Sequence, residues 1–272
     1  RPTGDRSSAM DIPRLGFGTY QLTDPDHCRT AVETALSTGY RHVDTAEYYE
    51  NEASVGAGIA ASDVDRSDVF LASKVWRDRL GREAFLESAR ERVDLLDVDR
   101  LDLLYVHWPM DTYDPEETLQ ALRAAKEQGL TRQIGLSNFT PALMDEAIDH
   151  LGDPPAAHQV ELHPLLQQDE LRAHADRHGY QLVAYAPIAR NAVADVPAIQ
   201  RVAEKHDATP AQVSLAWALD KGVAVIPKAG SPAHIHENHG ALDIDLDDED
   251  VTRIDGIERE ERIVDFPNAP WN

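Results

Sequence analysis

Residues 40–52 read Tyr-Arg-His-Val-Asp-Thr-Ala-Glu-Tyr-Tyr-Glu-Asn-Glu, and they predict a short buried strand that ends in a carboxylate. Gly39 interrupts the helical pattern before them, and His42-Val43 has the half-apolar, β-branched character of a strand. Asp44 then stands at the strand end, and two tyrosines follow within five residues. A phenol, with a pKa of about 10, donates protons efficiently near neutral pH only if a nearby cation favours its phenolate.

The strand pattern recurs along the chain and alternates with amphipathic helices. Strands are predicted at Tyr40–Asp44, Val69–Lys74, Leu101–His107, Gln133–Ser137, Ala157–Glu161, Gln181–Tyr185 and Val223–Ile226, with a weaker pattern at Ala241–Ile244. Helices are predicted at Pro25–Ser37, Glu50–Ala61, Arg82–Leu96, Pro115–Gln128, Pro141–Leu151, Gln168–His178, Val196–His206, Pro210–Lys221 and Asp248–Ile257. Eight strands that are each followed by a helix favour the α/β class and a single-domain (β/α)8 TIM barrel.

The predicted barrel occupies residues 10–272. A chain of 272 residues with 42% hydrophobic content can bury a large core, and barrels of this size commonly form one domain. Residues 1–9 are polar and are expected to form a disordered tail or a cloning remnant. No run approaches eighteen apolar residues, so no membrane span is expected.

The chain is strongly acidic, with a net charge of −23 spread along its length. Such a surface repels nucleic acid, anionic membranes and other copies of itself, so we expect a monomer that binds neither. The repulsion is screened in concentrated salt, which suggests a halophilic protein. A thermal melt that is no higher in about 2 M than in about 0.1 M KCl would contradict this. The only cysteine, Cys28, excludes an intrachain disulfide and fits a cytoplasmic location.

In a barrel of this kind the functional residues lie at the carboxyl ends of the strands. The ends of the first seven predicted strands carry Asp44, Lys74, His107, Ser137 with Asn138, Gln159 with Glu161, Tyr185 and, just beyond, Lys228. Lys74 is one of only five lysines and follows an apolar run, so its ammonium should be buried and should need a carboxylate, for which Asp44 is the candidate. A structural salt bridge would explain that pair alone, whereas the presence of His107 and Tyr49 favours a catalytic site.

Six passages, taken in order, resemble the aldo-keto reductase superfamily, and in particular its prokaryotic 2,5-diketo-D-gluconate reductase-like members. They are Gly39–Ala46, Tyr49–Glu52, Leu104–Pro109, Gly135–Phe139, Gln159–Pro164 and Ile226–Lys228. By this resemblance Asp44, Tyr49, Lys74 and His107 match the catalytic tetrad. Tyr49 rather than Tyr48 is taken as the acid because it lies five residues after Asp44.

The resemblance implies NAD(P)H-dependent reduction of a small aldehyde, keto acid or keto sugar to the alcohol. Tyr49 would protonate the forming alkoxide as general acid, and Lys74, oriented by Asp44, would lower the pKa of the phenol. His107 would orient and polarise the substrate carbonyl. The implied substrate pocket is walled by Tyr20, Tyr48, Trp76, His107 and Trp108, and the short C-terminal loop suggests that it is open to small substrates.

The implied cofactor lies across the barrel mouth. Its contacts by resemblance are Gly18, Thr19, Asp44, Ser137, Asn138, Gln159, Tyr185, Ala186, Ile188, Lys228, Ala229, Ser231, His234, Glu237 and Asn238. Family members typically carry a serine after the lysine of Ile-Pro-Lys and an arginine six residues after it, where this chain has Ala229 and His234. An arginine grips a phosphate bidentately and is always charged, so we expect NADPH to be used with weakened preference and NADH to be used as well.

Other motifs point elsewhere and were weighed against this assignment. Gly56–Ala61 has the spacing G-x-G-x-x-A, but it lies in a helical pattern, and Gly16-Phe17-Gly18 neither completes the fingerprint nor follows a strand. Three histidines around Glu237 look like a metal cluster, although their spacing is not H-E-x-x-H and hydride transfer from a nicotinamide requires no metal, so no metal is expected. A cofactor-sensing, non-catalytic regulatory subunit on the same barrel is the alternative function.

Overall fold

The computed structural model describes residues 11–272, so the predicted tail at residues 1–9 lies outside the described residues. The strands are β1 Gly16–Gly18, β2 His42–Asp44, β3 Phe70–Val75, β4 Leu101–Val106, β5 Thr131–Ser137, β6 Ala157–Glu161, β7 Gln181–Tyr185 and β8 Ala224–Val225. All are parallel and pair in sequence order. Parallel bridges from Leu15 to Val225 and from Gly18 to Lys228 join the first strand to the last. The α/β, single-domain (β/α)8 TIM barrel is thereby confirmed.

The helices surround the sheet and connect successive strands. They are α1 Pro25–Thr38, α2 Glu52–Ala61, α3 Arg82–Leu96, α4 Pro115–Glu127, α5 Pro141–Leu151, α6 Asp169–His178, α7 Pro197–Lys205, α8 Pro210–Asp220, α9 Pro232–His239 and α10 Asp248–Asp255. Several begin with a proline that follows a capping side chain, as where Asp114 Oδ1 accepts a hydrogen bond from the Glu117 amide at 2.8 Å. No helix in the described part of the chain is long and apolar enough to cross a membrane.

Three elements differ from the sequence prediction. Ala241–Ile244 is not a strand, because residues 240–243 form a short 3-10 helix. The missing strand is β1, whose three residues are too few to give a periodic pattern. Its glycines are required by packing, since a Cβ on Gly18 would lie 2.6 Å from the carbonyl oxygen of Ile226. Helix α9 is also additional to the predicted set.

The strand alternation explains how a lysine comes to lie inside the barrel. Phe70 and Ala72 of β3 belong to the inner core cluster, and Lys74 is the next residue on the same face of that strand. The inner cluster also contains Leu103, Tyr105, Ala157, Val183, Ala224 and Ile226. Lys74 therefore continues the barrel interior to the carboxyl end of β3, where its ammonium is fully buried.

Candidate active site

Asp44 and Lys74 form a buried ion pair at the carboxyl ends of neighbouring strands. The Lys74 Nζ lies 2.5 Å from Asp44 Oδ1 and donates a second hydrogen bond to the Thr45 carbonyl at 2.9 Å. The other oxygen of Asp44 accepts from Gln159 Nε2 at 2.9 Å. Burial lowers the pKa of Lys74, and the carboxylate of Asp44 opposes that lowering. The predicted pairing is therefore present, with both carboxylate oxygens of Asp44 engaged.

Tyr49 supplies the hydroxyl that this ion pair faces. It lies in a short 3-10 helix after β2, and its Oη accepts a hydrogen bond of 3.4 Å from Lys74 Nζ. Burial raises the pKa of Tyr49 well above its ordinary value, and the nearby carboxylate of Asp44 raises it further. The lowering of this pKa that is expected from Lys74 stays a prediction, and burial together with Asp44 acts in the opposite direction. The phenol keeps its proton throughout the neutral range, as a proton donor must.

His107 directly follows β4 and is the third polar group at the cavity. Its ring lies edge-on to the ring of Tyr49, with the centroids 5.9 Å apart. Burial and the neighbouring cations Lys74 and Arg77 hold the pKa of His107 well below its ordinary value, so the imidazole is neutral. The Nδ1 atom is buried and has no hydrogen-bond partner among residues 11–272. A neutral imidazole of this kind can donate one hydrogen bond to a bound oxygen.

Aromatic side chains that were predicted to wall a substrate pocket line the same cavity. Tyr48 is half exposed and stacks on Trp76 with the ring centroids 4.1 Å apart. The ring of Tyr20 lies beside that of Tyr49, with the centroids 5.2 Å apart. Trp108 is buried, and its ring centroid lies 5.2 Å from that of Phe266 and 5.7 Å from that of Trp271, both in the C-terminal segment. The adjacent tyrosines therefore differ in their surroundings. Tyr48 is half exposed, whereas Tyr49 reaches the buried ammonium of Lys74.

The cavity has a volume of about 670 Å³. Its lining residues are Tyr20, Gln21, Tyr48, Tyr49, Trp76, Arg77, His107, Trp108, Asn138, Gln159, Tyr185, Ala186, Pro187, Ile188, Arg190, Asn191, Ile226, Lys228, Val264 and Phe266. At one side, Tyr185 donates its hydroxyl to Asn138 Oδ1 at 2.7 Å, and Asn138 Nδ2 donates to the carbonyl of His107 at 3.1 Å. Amide groups and an aromatic ring are thus held together in the cavity that Tyr49 and His107 also line.

The other residues predicted to contact a cofactor do not line this cavity. Gly18 and Thr19 are buried beneath it, and the Thr19 hydroxyl donates to the carbonyl of Asp44 at 2.9 Å. The hydroxyl of Ser137 donates to the carbonyl of Gln159 at 2.9 Å. Ala229 is buried, and Ser231 caps helix α9 by accepting from the His234 amide. His234, Glu237 and Asn238 lie on α9, with His234 exposed and Asn238 buried.

Several lining residues were not assigned to the site from the sequence. Arg190 and Asn191 both have left-handed backbone conformations in the segment after β7, at φ 49° and 73°. A basic residue five positions after the end of β7 was the available signal for Arg190. Arg77 follows β3 and Trp76, and its guanidinium lies 5.1 Å from the Trp76 ring. Arg190 and Arg77 bring guanidinium groups to the cavity wall, and that of Arg77 is paired with the carboxylate of Asp111 at 2.9 Å.

Glu161, a predicted strand-end residue, ties the C-terminal segment to the barrel. Its buried carboxylate accepts hydrogen bonds from the amides of Ile263 at 2.8 Å and Val264 at 2.7 Å. It also accepts from His163 Nε2 at 2.8 Å, while His163 Nδ1 accepts from the Leu165 amide, which fixes the imidazole tautomer. Because Val264 lines the cavity, Glu161 contacts one of its walls directly.

Comparisons with known proteins agree with this geometry. The model of the Aldo/keto reductase family matches residues 14–259. The methylglyoxal reductase DkgB of Escherichia coli O157:H7 is 41% identical over 258 residues, which cover 94% of this chain and 96% of that protein. The structure of a candidate 2,5-diketo-D-gluconic acid reductase B is similar with a TM-score of 0.90 and 37% identity, over 95% of this chain and 92% of that one. The structure of a Bombyx mori aldo-keto reductase in complex with NADP is similar with a TM-score of 0.88 and 30% identity, over 95% of both chains.

Proposed function

The chain belongs to the aldo/keto reductase family and is an NAD(P)H-dependent oxidoreductase, and from that premise we propose that it reduces a small aldehyde, keto acid or keto sugar with Tyr49 as general acid. One observation supports this role above the others. The Tyr49 hydroxyl lies 3.4 Å from the buried ammonium of Lys74, in a cavity that His107 also lines. No other phenol of the described chain has a hydrogen bond to that ammonium.

The cavity residues fit a nicotinamide dinucleotide. A volume of about 670 Å³ lies within the range of ligand sites, roughly 300–1,000 Å³. Asn138 and Gln159 offer amide groups for a carboxamide, and Tyr185 offers a ring for stacking. Arg190 and Lys228 offer positive charge for phosphate groups. When bound, the reduced nicotinamide supplies the hydride to the carbonyl carbon.

The chain's own residues then handle the proton. As the carbonyl oxygen becomes an alkoxide, the O–H bond of Tyr49 breaks and the O–H bond of the alcohol forms. The phenolate left behind faces the ammonium of Lys74, which Asp44 holds in position at 2.5 Å. His107, being neutral, donates a hydrogen bond to the same oxygen and favours the developing negative charge. The alkoxide is a far stronger base than a phenolate, so a raised Tyr49 pKa does not prevent the transfer.

The substrate proposed here is small and carries an oxygen next to the reacting carbonyl. Trp76, Tyr48 and Trp108 give the cavity flat apolar walls that suit a short carbon skeleton. Arg77 lines the same space and could bind a second carbonyl or a carboxylate. A 2-oxoaldehyde such as methylglyoxal meets both requirements, and it is the substrate named for the Escherichia coli relative.

The cofactor proposed is NADPH with weakened preference, and NADH as a second cofactor. Lys228 lines the cavity and keeps one positive charge near the expected position of the 2′-phosphate. His234, at the first turn of α9, replaces the arginine that the family typically carries there. Arg190 adds a charge that favours both cofactors equally if it binds the pyrophosphate, which they share.

Single-turnover kinetics tests the enzyme against a cofactor-sensing subunit. Protein loaded with one equivalent of NADPH is mixed with methylglyoxal in a stopped-flow instrument, and the loss of nicotinamide absorbance is followed. An enzyme oxidises the bound cofactor at least as fast as its steady-state turnover and releases the product. A slow oxidation with retained cofactor, unaltered in Tyr49→Phe, would support the sensor and refute the proposal.

A further inference from the structure

Helices α5 and α6 bring two imidazoles and a carboxylate together on the outside of the barrel. His174 Nε2 lies 2.7 Å from Asp145 Oδ1, and His178 Nε2 lies 3.7 Å from the same oxygen. All three ligand atoms lie within 4.8 Å of one another. His174 and His178 stand four residues apart on α6, which places them on one face, and their ring centroids are 4.2 Å apart.

We propose that Asp145, His174 and His178 bind a zinc ion that links α5 to α6. Zinc bonds of about 2.0–2.1 Å in tetrahedral geometry separate neighbouring ligand atoms by roughly 3.3 Å. The distances of 2.7 and 3.7 Å to the Asp145 oxygen lie on either side of that value. Small side-chain rotations are therefore sufficient to form the site, and water would complete the fourth position.

A hydrogen bond beyond the ligands fixes the most buried of them. The side chain of His174 is almost fully buried, and its Nδ1 lies 2.7 Å from the hydroxyl of Tyr180. Metal-binding histidines generally donate their second nitrogen to such a partner, which orients the ring and sets the tautomer. Here Nδ1–H would donate to Tyr180 and leave Nε2 unprotonated for the metal. The Asp145–His174 hydrogen bond alone accounts for two of the three residues but gives no role to His178.

Accessibility and charge also favour a cation at this position. The Asp145 side chain is 61% exposed, so an ion can enter without unfolding either helix. The net charge of −23 attracts divalent cations to the surface in general. Nitrogen donors discriminate among them, because imidazole suits zinc, whereas magnesium and calcium prefer oxygen ligands alone.

The test is calorimetric titration of EDTA-treated, dialysed protein, free of any affinity tag, with ZnCl₂. One equivalent should bind with heat, and a Co²⁺ titration should give the visible absorption of a tetrahedral site. His178→Gln should weaken zinc binding by about tenfold or more, since even residues that only orient ligands affect affinity by 10- to 100-fold. His178 is chosen because it is partly exposed and its loss leaves the hydrogen bond between Asp145 and His174 intact.

Two control variants separate this site from the other histidines. His150→Gln changes an exposed histidine of α5, and His236→Gln changes one of the three histidines around Glu237 on α9. Both should bind zinc as the unaltered protein does, and zinc should raise the melting temperature of both by more than that of His178→Gln. Absence of zinc binding, equal affinity in His178→Gln, or displacement of zinc by an equal concentration of Mg²⁺ would each overturn the proposal.

Discussion

The ammonium of Lys74 lies 2.5 Å from the carboxylate of Asp44, and both side chains are almost completely buried. Removing one partner of such a pair leaves an uncompensated charge in the core, at a cost of about 3–5 kcal/mol. Lys74→Met should therefore abolish reduction and lower the free energy of unfolding in urea by about that amount. Asp44→Asn combined with Lys74→Met should regain most of the stability but no activity. Additive losses would show that the two charges do not interact.

The adjacent tyrosines provide a matched pair of variants. Tyr49→Phe should lose carbonyl reduction by several orders of magnitude and bind cofactor normally in fluorescence titration, because it loses only the transferable proton. Tyr48→Phe should change kcat/KM by less than about tenfold, since Tyr48 is half exposed and stacks on Trp76 through its ring. The reverse order of effects would show that Tyr48 is the acid.

The pH profile follows from the directions of two pKa shifts. The pKa of Tyr49 is raised well above its ordinary value of 10, so this group loses its proton only in strongly alkaline solution. The pKa of His107 is lowered well below 6.5, so this group gains a proton only in acid. Neither should titrate between about pH 6.5 and 9, and kcat/KM should be flat there. NADH is the cofactor to use, because it lacks the phosphate that His234 is proposed to contact. A limb within that range would contradict these assignments.

Glu161→Gln tests how the C-terminal wall is held. The variant replaces one acceptor oxygen with a donor group, so a partly buried amide of Ile263 or Val264 loses its partner at a cost of up to about 1–3 kcal/mol. We expect faster hydrogen exchange in residues 261–266 and a higher KM with a smaller change in kcat. Glu260→Gln, on an exposed neighbour, is the control and should change neither. Unchanged exchange in Glu161→Gln would mean that the segment is held by its aromatic contacts.

The strand ends were predictable because a barrel places them together whatever the loops do. Asp44, Lys74 and His107 needed only the alternating pattern and the rule that sites lie at the carboxyl ends. Val264 was not predictable in the same way, because its position depends on Glu161, 103 residues earlier in the chain. The direction of the Tyr49 pKa required its burial to be known, which a sequence pattern does not give.

Other failures have a local cause. Strand β1 consists of Gly16-Phe17-Gly18, and two glycines in three residues suggest a loop rather than a strand. Its place in the sheet comes from close packing against Ile226, the residue that follows the last strand of the barrel. Arg190 adopts a left-handed backbone without being glycine or asparagine, so no residue preference indicated the path that brings it to the cavity.

His234→Arg tests the proposed cofactor preference. His234 is exposed at the first turn of α9, and its amide donates to the Ser231 hydroxyl, so the side chain is free to meet a phosphate. An arginine would add a charge-assisted bidentate contact worth roughly 1.5–3 kcal/mol. The ratio of NADPH to NADH affinity should therefore rise by about ten- to a hundredfold, through tighter NADPH binding alone.

The matched control is His236→Arg, which adds the same charge to an exposed position two residues along the same helix. If the gain came from general attraction to positive charge, both variants would show it. Only His234→Arg should change the ratio if the side chain meets the 2′-phosphate directly. A ratio of NADPH to NADH affinity above about a thousand in the unaltered protein would place His234 outside the phosphate site, since a missing arginine contact should cost at least about tenfold.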